Sequence, residues 1–190
     1  MEISQNMNKS KNICVLGVTG SIAAYKAADL TSKLVQAGIQ IQVIMTENAG
    51  HFIGAQTFRT LSQRPVIQNL WDVPDWKPEH IALAECASLL VIMPATANFI
   101  AKMAHGIADD ALSTYYLSHT GNTIVVPAMN PRMWKHPATR ENCRILQERQ
   151  VQFVGPIKGH VACDDKEPGE GRMASMEAIQ KAVMTQLQVQ

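Results

Sequence analysis

The sequence has almost no excess charge and no long apolar run. It contains 17 lysines and arginines against 16 aspartates and glutamates, a formal net charge of +1 at pH 7. This balance gives no electrostatic reason to expect a nucleic acid or an anionic membrane surface as a partner. No apolar stretch approaches the roughly 18 residues that a membrane-spanning helix needs. We therefore expect neither nucleic-acid binding nor membrane insertion.

Cysteine is scarce and scattered. The four cysteines are Cys14, Cys86, Cys143 and Cys163, and they form no CxxC pair. Their spacing matches neither a disulfide framework nor a zinc site, so no metal centre is expected. The sequence therefore predicts a reduced, cytoplasmic protein.

The length and the hydrophobic pattern predict one α/β domain. The first 11 of the 190 residues are polar and lack the apolar centre of a signal peptide, so we expect a disordered tail over 1–11 and a single domain over 12–190. Strand patterns then alternate with helical patterns, which predicts a doubly wound, Rossmann-like domain with a parallel sheet covered on both faces. The predicted strands are 12–18, 39–45, 89–93, 123–126 and 151–154, and the predicted helices are 21–36, 54–62, 79–87, 98–118 (interrupted near Gly106), 138–149 and 175–187.

A glycine turn follows the first strand. The segment 17–21 (GVTGS) opens a helix, and such a turn offers free N–H groups and a hydroxyl to a phosphate. It is neither the dinucleotide fingerprint GxGxxG nor a Walker A loop, so a mononucleotide fits better than a dinucleotide. Thr46 and the segment 94–98 (PATAN) end two further strands at the same sheet edge, where they can line one flat ligand. Helix capping by Thr96 or Asn98 is an alternative that is compatible with binding.

The segment 127–134 (PAMNPRMW) is the most distinctive in the chain. Two prolines predict that it leaves the sheet as a rigid, shaped loop and not as a helix or strand. Asn130 offers one acceptor and two donors in an apolar surround, which suits a small polar group such as a carboxylate. The other interpretation is a hydrophobic loop that plugs the core, and the residues alone leave both open.

A histidine and a cysteine are candidates for proton transfer. His80 lies at the start of a short predicted helix, where it can move protons near neutral pH or simply lie at the surface. Cys163 lies in the glycine-rich, charged segment 159–173, which is predicted to be a loop and is typical of a mobile flap over a site. Its thiol can act as an acid or a nucleophile there.

Taken together, these motifs resemble the flavin-containing cysteine decarboxylases, and most closely the coenzyme A branch of that family. The resemblance rests on 20–26 (GSIAAYK), His80 with Ile81 and Leu83, 94–98, 127–134, and Ala162-Cys163. It implies a flavodoxin-like fold that binds FMN. The implied FMN-binding residues are Gly20, Ser21, Ile22, Thr46, Thr96, Ala97, Asn98 and Ala128.

The resemblance also implies a reaction and a role for each residue. The family oxidises a cysteinyl thiol at the flavin, loses carbon dioxide and returns the hydride, which implies conversion of 4′-phosphopantothenoylcysteine into 4′-phosphopantetheine. His80 is then the base, Asn130 binds the substrate carboxylate with Met133 nearby, and Cys163 donates the last proton. Family members are homotrimers, or dodecamers built from trimers, with FMN between subunits, so we expect a homo-oligomer.

Two departures from the family pattern keep other hypotheses open. The flap has Asp164 where the family has glycine, which adds charge beside the thiol. The chain ends at Gln190 without a ligase domain, so a stand-alone decarboxylase is expected. The alternatives are a peptidyl-cysteine decarboxylase that stops at the enethiol, a flavin prenyltransferase, and a non-catalytic flavoprotein binding module.

Overall fold

A five-stranded parallel sheet forms the centre of the protein. The computed structural model describes residues 13–70, 79–162 and 164–188, with side chains omitted at 79–82, 164–168 and 188, so the predicted tail lies outside the described residues. The strand order is β2-β1-β3-β4-β5, the order of flavodoxin-like proteins. The strands are β1 (Ile13–Val18), β2 (Gln40–Met45), β3 (Ala87–Ala95), β4 (Asn122–Pro127) and β5 (Gln152–Phe153).

Helices cover both faces of the sheet. All six residues of β1 are buried, and they alternate between two apolar clusters, as the pleat of a strand requires. Leu16 packs on one face, in the cluster that holds α1 and α8, and Val15 packs on the other face. The helices are α1 (Tyr25–Gln36), α2 (Ala55–Ser62), α3 (Glu79–Cys86), α4 (Ala97–His105), α5 (Ala111–Ser118), α6 (Pro131–Lys135), α7 (Pro137–Glu148) and α8 (Met176–Gln188), with 3-10 turns at Ile22–Ala24 and Glu47–His51.

The predicted fold class is confirmed, and the five predicted strands are present with small shifts of their ends. The interruption expected near Gly106 is also present. This glycine has a φ of +68° and ends α4, so the predicted helical region 98–118 is two helices.

Two predictions about loops were wrong. The segment after β4 is not a loop throughout, because Asn130 and Pro131 start the one-turn helix α6. Asparagine as N-cap followed by proline at the first helical position is a helix start, since proline has no N–H to leave unpaired there. The glycine-rich segment is an antiparallel hairpin of β6 (Ile157–Val161) and β7 (Asp164–Arg172), although it lacks the apolar alternation of a strand.

Within the described part of the chain, no helix combines the length and the apolar character needed to cross a bilayer.

Candidate functional site

A cavity of about 660 Å³ opens at the carboxyl ends of β1, β3 and β4. The strand order reverses between β1 and β3, and this is where open α/β sheets bind ligands. The walls come from the turn after β1, the starts of α4 and α6, and the hairpin. The lining residues are Gly20, Ser21, Ile22, Ala23, Tyr25, Lys26, Phe52, Thr96, Ala97, Ala128, Met129, Asn130, Met133, His160, Val161, Ala162, Gly171, Arg172 and Met173.

A buried threonine joins the two strand ends. The Thr19 hydroxyl donates to the Pro94 carbonyl at 2.6 Å and accepts from the Thr96 N–H at 3.2 Å. Only 1% of Thr19 is exposed, so both hydrogen bonds are shielded from water. The loops after β1 and β3 are thus fixed relative to each other. This residue was not predicted, because a threonine inside a glycine turn has no distinctive signal.

The turn after β1 also packs against the 3-10 turn that follows β2. A Cβ atom placed on Gly20 would lie 2.6 Å from the Asn48 Cβ, so this close approach requires glycine. Ser21 and Thr96 both cap helices: the Ser21 hydroxyl accepts from the Ala23 N–H at 3.3 Å, and the Thr96 hydroxyl accepts from the Phe99 N–H at 3.2 Å. Capping was the alternative hypothesis for Thr96, and both capping residues also line the cavity.

The α6 segment, residues 128–135, has side chains both in the cavity wall and in the core. The Asn130 side-chain oxygen accepts from the Arg132 N–H at 2.9 Å and caps the helix. This bond fixes the amide and leaves its NH₂ group without an acceptor among the described residues. Met133 lines the cavity and is 48% exposed, whereas Trp134 is buried in the core with the Arg140 guanidinium 5.1 Å from its ring.

Glycines let the hairpin pack directly on the α6 segment. The Met129 N–H donates to the Gly171 carbonyl at 3.0 Å. A Cβ on Gly171 would collide with the Met129 carbonyl oxygen, and a Cβ on Gly169 would collide with the Pro131 ring. Glycines two apart lie on one face of a strand, so the GxG spacing is a signal for this contact that the sequence analysis overlooked.

The cavity brings together eight of the predicted site residues. They come from three strand ends and from α6, and they are Gly20, Ser21, Ile22, Thr96, Ala97, Ala128, Asn130 and Met133.

Of the other four predicted residues, two do not line the cavity and two have side chains outside the described part of the chain. Thr46 is not part of the cavity wall, and its buried hydroxyl has no partner among the described residues. Asn98 is exposed in the first turn of α4. The side chain of His80 and the whole of Cys163 lie outside the described residues. The site roles of all twelve predicted residues stay predictions.

Two of the other cysteines are unsuited to proton transfer. Burial raises the pKa of the Cys14 thiol to about 12 and the pKa of the Cys143 thiol to about 11. Both thiols are buried in the core and neither lines the cavity.

The basic residues of the cavity wall were not among the predicted site residues. Lys26, His160 and Arg172 line the cavity, and no aspartate or glutamate of the described chain does so. No group of three or more histidine, cysteine, aspartate or glutamate residues in the described ranges is arranged to bind a metal ion.

Solved structures of similar fold include cysteine decarboxylases. The FMN-dependent cysteine decarboxylase SpaF is 31% identical, with a TM-score of 0.78 over 93% of this chain and 99% of SpaF. A cysteine-to-serine mutant of PPC decarboxylase in complex with pantothenoylaminoethenethiol is 27% identical, with a TM-score of 0.79 over 93% of this chain and 98% of the other.

Curated relatives are similar over most of the chain. The coenzyme A biosynthesis bifunctional protein CoaBC of Borreliella burgdorferi is 39% identical over 95% of this chain and 45% of the relative. CoaBC of Bacillus subtilis is 42% identical over 92% of this chain and 43% of the relative. The chain therefore spans less than half the length of these relatives. The family model described as Flavoprotein matches residues 1–188, so the chain belongs to the Flavoprotein family.

Proposed function

We propose that this protein is an FMN-dependent decarboxylase that converts 4′-phosphopantothenoylcysteine into 4′-phosphopantetheine in coenzyme A biosynthesis. The observation that carries the proposal is the cavity that joins the turn at Gly20 and Ser21 to Asn130. A turn that suits a phosphate and a fixed amide donor at one site are compatible with a flavin-assisted decarboxylation. The similarity to two CoaBC proteins supports the coenzyme A substrate over a peptide.

The residues of the cavity fit FMN. Ser21 and Thr96 supply hydroxyl groups, while Ile22, Ala97 and Ala128 supply apolar walls for a planar ring. Ile22 is 61% exposed although it is apolar, and a ring bound against it would remove that surface from water. Bound FMN would supply an electron acceptor for the substrate thiol. We keep Thr46 and Asn98 in the proposed FMN set on the family resemblance.

Asn130 is suited to hold the substrate carboxylate. Because its side-chain oxygen is used in the helix cap, only its NH₂ group is available, and that group donates. The amide is uncharged and stands beside Met129 and Met133 in the cavity wall. It can therefore orient a carboxylate without a strong charge that would oppose the loss of carbon dioxide.

His80 and Cys163 complete the proposed machinery as base and proton donor. This assignment rests on the family resemblance and on the poor suitability of Cys14 and Cys143, which are buried thiols with raised pKa values. His80 lies in α3, the helix that leads into β3.

With dioxygen present to reoxidise the flavin, Cys163→Ser is expected to release carbon dioxide but to accumulate a product two hydrogens lighter than 4′-phosphopantetheine. A serine hydroxyl is a much weaker acid than a thiol, so the last protonation fails while the earlier bond cleavage continues. Mass spectrometry of the product checks this. Cys86→Ser, at the end of α3 and outside the cavity wall, is the matched control and should give the normal product. A normal product from Cys163→Ser would remove this residue from the mechanism.

We also propose a cytoplasmic homo-oligomer, a trimer or a dodecamer built from trimers. Four residues of the cavity wall are large, apolar and exposed: Ile22 and Tyr25 are each 61% exposed, and Phe52 and Met133 are each 48% exposed. Four large apolar side chains around one opening favour a second subunit that covers part of it. Light scattering coupled to size-exclusion chromatography measures the subunit number, and a monomer that retains full activity would contradict the proposal.

The central experiment is a mass spectrum of 4′-phosphopantothenoylcysteine after anaerobic incubation with the purified protein. Loss of carbon dioxide with an otherwise fully reduced product is the expected result. A product two hydrogens lighter, formed in no more than one equivalent per bound flavin because no oxygen is present to reoxidise it, would favour a cysteine decarboxylase that stops at the enethiol. Untouched substrate, together with turnover of a peptide that ends in cysteine, would favour the peptidyl-cysteine alternative.

A further inference from the structure

The charge of the cavity wall is one-sided. Lys26 and Arg172 line it, and no acidic side chain of the described residues does. Lysines and arginines are nearly balanced by acidic residues in the chain as a whole, so this bias is local. A wall of this kind is suited to an anionic ligand. The substrate of the proposed function carries two anionic groups, a carboxylate at one end and a phosphate at the other.

Arg172 projects away from Asn130. Successive side chains of a strand point to opposite faces of the sheet. A Cβ atom on Gly171 would point at the Met129 carbonyl, so position 171 of β7 faces Met129. The Arg172 side chain therefore leaves the other face of β7 and runs across Gly159 in β6. A Cβ on Gly159 would lie 2.7 Å from the Arg172 Cδ and 3.1 Å from its Nη1. The absence of a side chain at Gly159 provides the path for this arginine.

The Arg172 guanidinium is available for a ligand. Arg172 is exposed, and it forms no ion pair with any described residue. Lys26 lies in the first turn of α1, directly after the turn that carries Gly20, Ser21 and Ile22 of the proposed FMN set. The hairpin cation is thus the one placed for the substrate.

A cation has different effects on the rate of decarboxylation at the two anionic groups of the substrate. A guanidinium on the carboxylate would stabilise the starting state more than a transition state in which that negative charge moves away. A guanidinium on the distant phosphate adds binding energy without this cost and can pair with it in a bidentate manner. Asn130 and Arg172 therefore suit opposite ends of one substrate.

We infer that Arg172 binds the phosphate of the substrate and makes the enzyme select phosphorylated over unphosphorylated pantothenoylcysteine. The inference rests on the proposed function and adds a residue that determines its specificity. His160 also lines the cavity.

The test compares two substrates and two enzymes. For wild type and Arg172→Gln, kcat and KM are measured with 4′-phosphopantothenoylcysteine and with pantothenoylcysteine. We expect Arg172→Gln to raise KM about 10- to 100-fold for the phosphorylated substrate, as for loss of a charge-assisted hydrogen bond, and to leave the unphosphorylated one unchanged. Lys158→Ala removes an exposed cation of the same hairpin that does not line the cavity, and both substrates should keep their wild-type constants.

A second variant tests the path of the side chain. In Gly159→Ala the added methyl group meets the flexible Arg172 stem, so the guanidinium must move while its charge is kept. We expect the same selective rise in KM, smaller than that of Arg172→Gln.

Each contrary outcome has a distinct meaning. Equal losses with both substrates, or no loss with either, would overturn the inference while the proposed function stands. Loss of bound flavin absorbance in Arg172→Gln would assign the arginine to the cofactor and would also overturn it. If the wild type turns over neither substrate, the proposed function fails and the inference fails with it.

Discussion

Asn130→Asp is expected to fold and bind FMN normally and to lose decarboxylation. Aspartate caps helices as well as asparagine does, so the hydrogen bond from the Arg132 N–H is kept and Tm should stay within about 2 °C. The NH₂ donors are replaced by a carboxylate oxygen that repels the carboxylate of the substrate. We expect kcat/KM to fall about 1,000-fold or more, since a donor is lost and like charges oppose each other. Carbon dioxide release and flavin absorbance, measured on the same sample, check both parts.

Asn130→Ala separates the two roles of this side chain. It removes the cap together with the donors, so it should lower stability by about 1 kcal/mol and activity as well. The aspartate variant should therefore be the more stable of the two and no more active. An aspartate variant with wild-type turnover would show that Asn130 does not hold the carboxylate.

The fold was predictable from the sequence because its main signals are local. The alternation of apolar and amphipathic segments gave the five strands and most helices, and buried runs such as β1 are typical of a parallel sheet covered on both faces. The ends of β1, β2 and β3 were expected to line one ligand, and the cavity lies at that sheet edge, although it is formed at β1, β3 and β4 and leaves out Thr46 at the end of β2. This part of the site follows from topology alone.

The remaining features depend on contacts between distant segments. The Thr19 hydroxyl forms hydrogen bonds with backbone atoms of Pro94 and Thr96, which are 75 and 77 positions away. No local sequence pattern marks such a bond. The hairpin was mistaken for a loop because glycines and charges favour turns, whereas here Gly171 is needed for contact with Met129. The cationic wall likewise appears only when α1 and the hairpin are brought together.

Gly171→Ala is expected to damage both the stability and the activity of the protein. The backbone of Gly171 has no positive φ, so alanine is conformationally allowed, but its Cβ would collide with the Met129 carbonyl oxygen. Backbone atoms cannot rotate away as a side chain can, so the hairpin and the α6 segment must separate. Such overpacking costs about 2 kcal/mol, which lowers Tm by about 4–8 °C in a chain of this length. Decarboxylation should fall further than stability alone explains, because the Asn130 amide moves with the segment.

The position of the added methyl group, and not the loss of a glycine as such, is the cause of the expected damage. Gly50→Ala is the matched control, because a Cβ there meets nothing within 4 Å and its φ is not positive. Its Tm and its turnover should equal those of the wild type. If Gly171→Ala behaved like Gly50→Ala, the contact between the hairpin and Met129 would not be needed to place Asn130. The hairpin would then have to be regarded as a cover that is independent of the carboxylate site.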